Sequence, residues 1–551
     1  MILSARKPYR SNLLLRVQKK RGHLLAVWSL LVLFQMLCFL TPENIVCAVL
    51  ILIGGVLGVS FSARRDLLRC YPVSTLIVLG YTLSYFLLPP VATLFEWKPV
   101  TNNLVHAELI FVHALVCLLF LLGAHALYRK SRLAGSVRKA LTVRVLQPLG
   151  YFRVPSNAQF LILGGIGLAA MSYQVFVLGS AREEVLGADN KFMQAMFPLV
   201  YLPYCILIRP VLGASGARVS AFWKLVLAAY TGVLLLVSMG SNSRSAFLLG
   251  LTSLGIAYLY GVVSGSVTSR LFSVRNFVLL VAGLILVQGP VADLATSMVI
   301  VRDARRDLAA AQLLEETMTT MHDRRAIEER RQQDATKSYD WDEYYVDNLF
   351  LARLSNLKFA DESLDLALRQ DASAKAKLRD LEWQSVLSVL PRPVIDMLGL
   401  PVDKDLVSTS SGGDLMLFTT TGDYDALKGF RTGSIFGSGY ALFGWLYPFV
   451  IALALIPIFT LADTQTTRVR NPNPGPHSAP WLPAFNSFNA VRLFAWLFFL
   501  TSAATGMESM AGLPRYVVRS WIETLLIYLL AYWFSYAVLR MIPWRPGRAG
   551  G

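Results

Sequence analysis

The chain has 551 residues, of which 55% are hydrophobic and only 16% charged, whereas an ordinary soluble domain carries about 25% charged residues. With a mean hydropathy of +0.50, this balance excludes a soluble enzyme, a free DNA-binding domain and a disulfide-stapled secreted scaffold. The formal net charge of +17 would suit a nucleic acid, but its distribution along the chain decides against one.

A basic stretch from Arg6 to Arg21 leads into an apolar run from about Leu24 to Leu40. That run exceeds the ~7–15 residues of a signal-peptide core and lacks a cleavage site, so it reads as a first membrane helix. Taken as 24–41, it is followed by apolar segments near 44–61, 73–95, 104–128, 158–180, 192–213, 221–239, 246–264, 277–300, 434–461, 489–505 and 517–539. Most approach or exceed the ~18 residues that mark a membrane span. The predicted fold class is therefore all-α: a polytopic membrane protein of about 12 transmembrane helices. Residues 1–300 carry helices 1–9, 301–433 form one large exported loop, and 434–551 carry helices 10–12.

Loops rich in Lys and Arg stay on the cytoplasmic side. The clusters Arg6–Arg21, Arg64/Arg65/Arg69, Arg129–Arg153, Arg209/Arg218, Arg270/Arg275, Arg468/Arg470 and Arg540/Arg545/Arg548 all fall on one side if every segment crosses. Both termini are then cytoplasmic. Residues 301–433 hold 18 Lys and Arg against 24 Asp and Glu, so the basic excess sits in the cytoplasmic loops. This is a topology signal, and nucleic acid is not an expected partner. The five cysteines, Cys38, Cys47, Cys70, Cys117 and Cys205, lie in or beside apolar segments without a Cys-x-x-Cys pair, which suits buried thiols.

The long loop opens with Asp303–Arg331, a charged helix with opposite-sign pairs that suit a solvated face. In the next part Trp341, Tyr344 and Tyr345 are interleaved with Asp342, Glu343 and Asp347. Aromatic faces beside carboxylates suit a sugar, and an aromatic belt at a membrane surface has the same composition; both readings stand at this stage. Arg353-Leu354-Ser355-Asn356 and Pro391-Arg392-Pro393 follow, and a Ser/Thr/Gly-rich tract from Ser408 to Gly422 reads as a mobile loop.

The turn Gly240-Ser241-Asn242-Ser243-Arg244-Ser245 faces outward on this topology. It puts Arg244 at a helix N-terminus, where free N–H groups, hydroxyls and a guanidinium can receive an anion. The same arginine could equally snorkel into lipid headgroups. His106 and His113 lie near Glu108 without metal-ligand spacing, which suits hydrogen-bonded histidines and no metal. There is no nucleophile elbow and no phosphate-cradling P-loop, so no ATP-driven engine and no cofactor are expected.

Three features together resemble bacterial polysaccharide polymerases of the O-antigen polymerase (Wzy) and exopolysaccharide polymerase class. They are the Ser-Asn-Ser-Arg-Ser turn, the Arg353 and Arg392 elements of one long loop, and Tyr440-Ala441-Leu442-Phe443-Gly444 in the following helix. The likeness extends over roughly residues 220–460, and this chain departs from it near helix ten, with Ser438 and Leu442 where a carboxylate and an amide are expected. The resemblance implies an inner-membrane glycosyltransferase with one large periplasmic loop between helices 9 and 10. Its substrate would be undecaprenyl-diphosphate-linked oligosaccharide repeat units, and its neighbours membrane lipids, a flippase and a chain-length regulator.

On that reading Arg244 is the leading diphosphate ligand, with Arg353, Arg392 and Arg431 as supporting cations, because a guanidinium binds phosphate oxygens as a fork. The base is sought among Asp361, Glu362 and Asp414, although a loop salt bridge is the commoner role of such residues. Ser243, Trp341, Tyr344, Tyr345 and Arg431 are the expected substrate-binding side chains. An O-antigen ligase-like transferase and a lipid-linked glycan flippase are the rival functions. A ~130-residue loop is hard to place in a rocking transporter and suits a lid over a lipid-linked substrate.

Overall fold

Where backbone polar groups leave water, helix is the form that satisfies them within one segment, and the apolar runs take it. In the computed structural model, residues 12–178, 193–214, 219–240, 244–267, 290–301, 310–329, 341–348, 351–352, 355–470, 480–501 and 507–541 are described. Seven helices are long and apolar enough to cross a membrane: Pro42–Ser62, Pro72–Phe95, Ala107–Lys130, Asn157–Phe176, Ala221–Gly240, Ile435–Asp463 and Gly512–Met541. The chain is an α-helical protein with the spans of a membrane-embedded one. Leu25–Cys38, Met193–Leu207 and Leu249–Ser264 are shorter apolar helices.

The elements that position the site are α1 (Pro72–Phe95), α2 (Ala107–Lys130), α3 (Leu357–Arg369), α4 (Ala372–Leu387), α5 (Gly412–Thr421), α6 (Ile435–Phe443), α7 (Tyr447–Asp463) and α8 (Gly512–Met541). Helices α2 and α7 run parallel. His113 Nδ1 lies 2.7 Å from the Tyr447 hydroxyl near one end, and the Tyr128 hydroxyl donates to Asp463 at 2.9 Å near the other. Asp463 also accepts from the amides of Val73 and Ser74 and from the Ser74 hydroxyl. This fully buried carboxylate therefore ties α1, α2 and α7 together.

Among the described residues, turns between helices lie at the two ends of α2, roughly 35 Å apart at 1.5 Å per residue. At the Lys130 end, Arg69 donates to the Ser264 carbonyl and Arg138 to that of Cys70. An antiparallel hairpin, β1 (Thr466–Arg470) with β2 (Trp481–Phe485), lies toward this end too, following directly on Asp463. At the Ala107 end, Lys98 meets Asp347, Asn102 donates to the Tyr345 carbonyl, and Asp361 accepts from the amides of Val105 and His106. Tyr345, Asp347 and Asp361 of the acidic stretch thus pack on the end of α2 opposite Arg69 and Arg138.

Four expectations are corrected. Segment 489–505 is not one helix but the short pieces Ser487–Ala490 and Leu493–Leu497. Its polar side chains are used across the bundle, Asn489 with Tyr151 and Trp496, and Arg492 with Thr524. Irregular backbone is tolerated there because protein surrounds it. Within 192–213, residues Phe197–Leu207 wind as a 3₁₀ helix containing Pro203, whose ring denies the α-helical bond. The charged helix of 303–331 divides at Asp323, with Ala310–His322 before it and 324–329 after it, and its outer parts lie outside the described residues.

The Ser408–Gly422 tract is the fourth. It forms the packed helix α5, opened by a reciprocal capping box of Ser411 with Asp414 and closed by Gly422 in the left-handed region. Leu415, Met416, Leu417 and Phe418 are buried in a small core shared with α3 and α4, and that burial is what composition alone does not register.

Candidate functional site

The chain between the pieces of 489–501 and α8 carries one acidic side chain, Glu508, to the junction of the loop domain with the membrane helices. Its carboxylate Oε2 accepts the Gly412 amide at 3.3 Å at the start of α5, and the Gly433 amide also donates to it. The approach is so close that a Cβ on Gly433 would fall 2.7 Å from the Gly413 nitrogen and 2.9 Å from the Glu508 carbonyl. A Cβ on Gly412 would sit 3.0 Å from that same carbonyl. Only glycine fits at the first of these positions without moving backbone.

Burial pushes the Glu508 carboxyl up to about 7; the Gly412 and Gly433 amides oppose this, the nearby Asp414 charge adds to it and Arg515 opposes it. The group is therefore about half ionised near neutrality, the condition for moving a proton in either direction. It lines a small pocket with Tyr85, Asn356, Gly433, Ser434 and Thr501 that has room for about one water molecule. Two lining residues sit on unusual backbone. Tyr85 belongs to the π-helical turn Leu83–Leu87 within α1, and Asn356 has φ 55°. Such departures from regular geometry concentrate at functional sites.

A second carboxylate, Glu382 on α4, is fully enclosed beside it. It accepts from the Ser509 hydroxyl at 2.9 Å and the Ala511 amide at 2.8 Å, at the N-terminus of α8. Burial raises its carboxyl against those bonds, and the helix dipole favours a negative charge there. Arg515, one turn into α8, donates to the Ser385 hydroxyl at 3.1 Å and attracts both Glu382 and Glu508. Ser438 accepts the Met510 amide at 2.8 Å. Two acids and one arginine thus converge where the loop domain meets α6 and α8.

The residues expected from sequence are distributed as follows. Asp414 is fully buried and spends both oxygens on the Ser411, Phe430 and Arg431 amides, with the Arg431 guanidinium 3.4 Å away. It and Arg431 therefore hold the roof of the Glu508 pocket. Asp361 is fully buried against the Val105 and His106 amides and Lys358. Glu362 pairs with Lys358 at 2.7 Å, and burial keeps its carboxyl above the usual range in spite of that pair. Arg392 is exposed beside Asp405 at 3.7 Å.

Trp341 and Tyr345 are buried, the latter donating to the Val100 carbonyl at 2.7 Å, and Tyr344 is partly buried. The faces of Trp341 and Tyr345 pack against protein. Arg244 opens the helix Arg244–Ser264, and its side chain lies outside the described residues, as do Ser243 and Arg353. His106 bonds Asp365 at 3.0 Å and His113 bonds Tyr447, so both histidines are hydrogen-bonded as their spacing suggests.

Sequence reasoning missed Glu508 and Glu382. The one available signal was a single carboxylate, Glu508, in the short run between two apolar segments, with Gly506 and Gly512 on either side. No family model matches this chain, and neither curated proteins nor solved structures yield a match.

Proposed function

We propose that the chain is an inner-membrane glycosyltransferase, a polysaccharide polymerase joining undecaprenyl-diphosphate-linked oligosaccharide repeat units on the periplasmic face, with Glu508 as its general base. The observation that carries this reading is a carboxylate set between glycine amides in a small hydroxyl-lined pocket, at the seam of loop domain and membrane helices. In the reaction, Glu508 takes the proton of an acceptor sugar hydroxyl. The freed oxygen bonds to the anomeric carbon of the growing chain while the bond from that carbon to the carrier diphosphate breaks. Energy resides in the sugar–diphosphate linkage, so the chain's task is proton transfer and stabilisation of the leaving charge.

Arg515 is the described cation closest in sequence to Glu508 and attracts it. Arg244 is the cation that the family resemblance assigns to the diphosphate. In this reading all twelve apolar segments traverse the bilayer, residues 301–433 lie in the periplasm and both termini in the cytoplasm. The reading is supported by the placement of Arg69 and Arg138 at one end of α2 and of Asp347 and Asp361 at the other. A flippase that delivers the repeat units and a regulator of chain length are the partners it calls for.

Deleting the gene and analysing lipid-linked glycans tests the assignment. Single repeat units accumulating on the carrier are expected, with polymer restored by the wild-type gene and not by Glu508→Gln. Finished polymer lacking its anchor would indicate a ligase instead, and units held in the cytoplasmic leaflet a flippase.

A further inference from the structure

Residues 423–431, which end two positions before the pocket-lining Gly433, form a strained loop that presents aromatic rings to solvent. Lys428 and Phe430 have φ of 64° and 56°, in the left-handed region that side chains other than glycine rarely adopt. Strain of this kind persists only where the surroundings over-determine it. Here Asp414 accepts the Phe430 amide at 2.9 Å and the Arg431 amide at 3.1 Å, while the Arg431 guanidinium donates to the Ala426 carbonyl at 2.7 Å. The buried Ala426 anchors the middle of the loop.

What this construction achieves is the outward placement of two rings. Phe430 is 55% exposed and Tyr424 73% exposed. Tyr424 leans on Phe418, ring centroids 4.9 Å apart, and Phe418 is covered on a face by the Lys377 ammonium at 3.8 Å. The rings are therefore held on a braced loop. Folding alone offers no reason to hold a phenylalanine in water on strained backbone, since exposing it forgoes burial and the backbone adds its own cost.

The geometry points to Phe430 and Tyr424 as a stacking platform for the acceptor glycan, holding sugar rings whose terminal hydroxyl reaches Glu508; this rests on the assignment of Glu508 made above. Gly433, whose amide meets the Glu508 carboxylate, is three residues from Phe430. Three residues span at most about 10 Å, roughly the length of a short run of linked sugar rings. The C–H face of a pyranose packs on an aromatic face while its hydroxyls remain in water. The charged and polar rim supplied by Asp423, Asp425 and Lys428, all exposed, can bond those hydroxyls. The platform takes the role that composition alone would have offered to Trp341 and Tyr345, whose faces are covered.

The test uses the full-length protein in detergent with lipid-linked oligosaccharide extracted from cells lacking the gene. Because stacking is uniform binding, Phe430→Ala should raise the KM for acceptor about tenfold while kcat stays within about twofold. Phe430→Trp should restore the KM to near the wild-type value. If the wild-type protein elongates the oligosaccharide and Phe430→Ala does so with unchanged KM, the platform is overturned while the assignment of Glu508 stands. If the wild-type protein elongates nothing, while its Glu508→Gln variant is indistinguishable from it, both fall together.

Discussion

Glu508 and Gly412 are joined by a 3.3 Å hydrogen bond across 96 positions of sequence. The bond connects the last polar turn before α8 to the first turn of α5, so one carboxylate is both a fastening for the loop domain and the titrating group of the pocket. Glu508→Gln separates the two roles, since an amide oxygen still accepts the Gly412 hydrogen but cannot take up a proton. Transfer should fall by about 10²–10⁴-fold with the fold intact. In the wild type, the rate limited by this base should rise with pH and level off above about 7, where the carboxylate is ionised. A flat rate between pH 5.5 and 8.5, measured with saturating substrate, would remove Glu508 from the chemistry.

The same carboxyl makes stability depend on pH in a definite direction. Between about 4.5, its ordinary value, and about 7 the folded chain retains a proton that the unfolded chain has released. Its contribution is complete below the lower value and is lost as pH rises through the upper one. Thermal unfolding in detergent should therefore show Glu508→Gln more stable than wild type at pH 8, with the gap narrowing towards pH 4.5. A gap that widens on acidification would contradict the burial argument.

Asp361 behaves as a structural group. Replacing it with alanine leaves the buried Val105 and His106 amides without their acceptor and Lys358 with Glu362 alone, at a cost of about 2–5 kcal/mol. The variant should fold in poor yield, yet its folded fraction should turn over at the wild-type rate per molecule. Normal yield with abolished turnover would instead make Asp361 the base.

Backbone proximity at the pocket can be probed with one methyl group. Gly433→Ala places its Cβ within 3 Å of three backbone atoms of residues 412, 413 and 508, so the roof must shift and transfer should drop at least tenfold. Gly255→Ala meets nothing within 4 Å and should match the wild type. Equal activity in the two variants, at equal expression, would show that the roof is free to move.

Sidedness is accessible to thiol labelling in a chain freed of its native cysteines. Tyr424→Cys should react with an impermeant maleimide on intact spheroplasts, and Arg470→Cys only after permeabilisation, because the two residues are exposed toward opposite ends of the helix bundle. Reversed labelling would place the loop domain in the cytoplasm and end the polymerase reading.

Much of the architecture was legible because membrane helices are written as long apolar runs, and seven such runs became helices of spanning length. Asn489 and Arg492 show where that logic stops. A hydropathy average treats them as small interruptions, whereas their bonds to Tyr151 and Thr524 reorganise the segment. The site was less legible still. Asp414 and Glu508 are both carboxylates close to glycines in sequence; what separates a brace from a pocket-lining group is whether three amides or a cavity faces the oxygens, and this depends on chain segments far apart in sequence. The Trp341 and Tyr345 rings illustrate the converse, since composition cannot distinguish a covered aromatic face from an open one.

The Asp463 junction bears on how the chain is made. The amides of Val73 and Ser74 find their carboxylate only 390 and 389 residues later. At about 5–20 residues per second, the ribosome needs on the order of 20–80 s to deliver it. During that interval the first helices wait in the bilayer with a latch but no bolt, so a nascent chain stalled before residue 463 should be the form most exposed to membrane quality-control proteases.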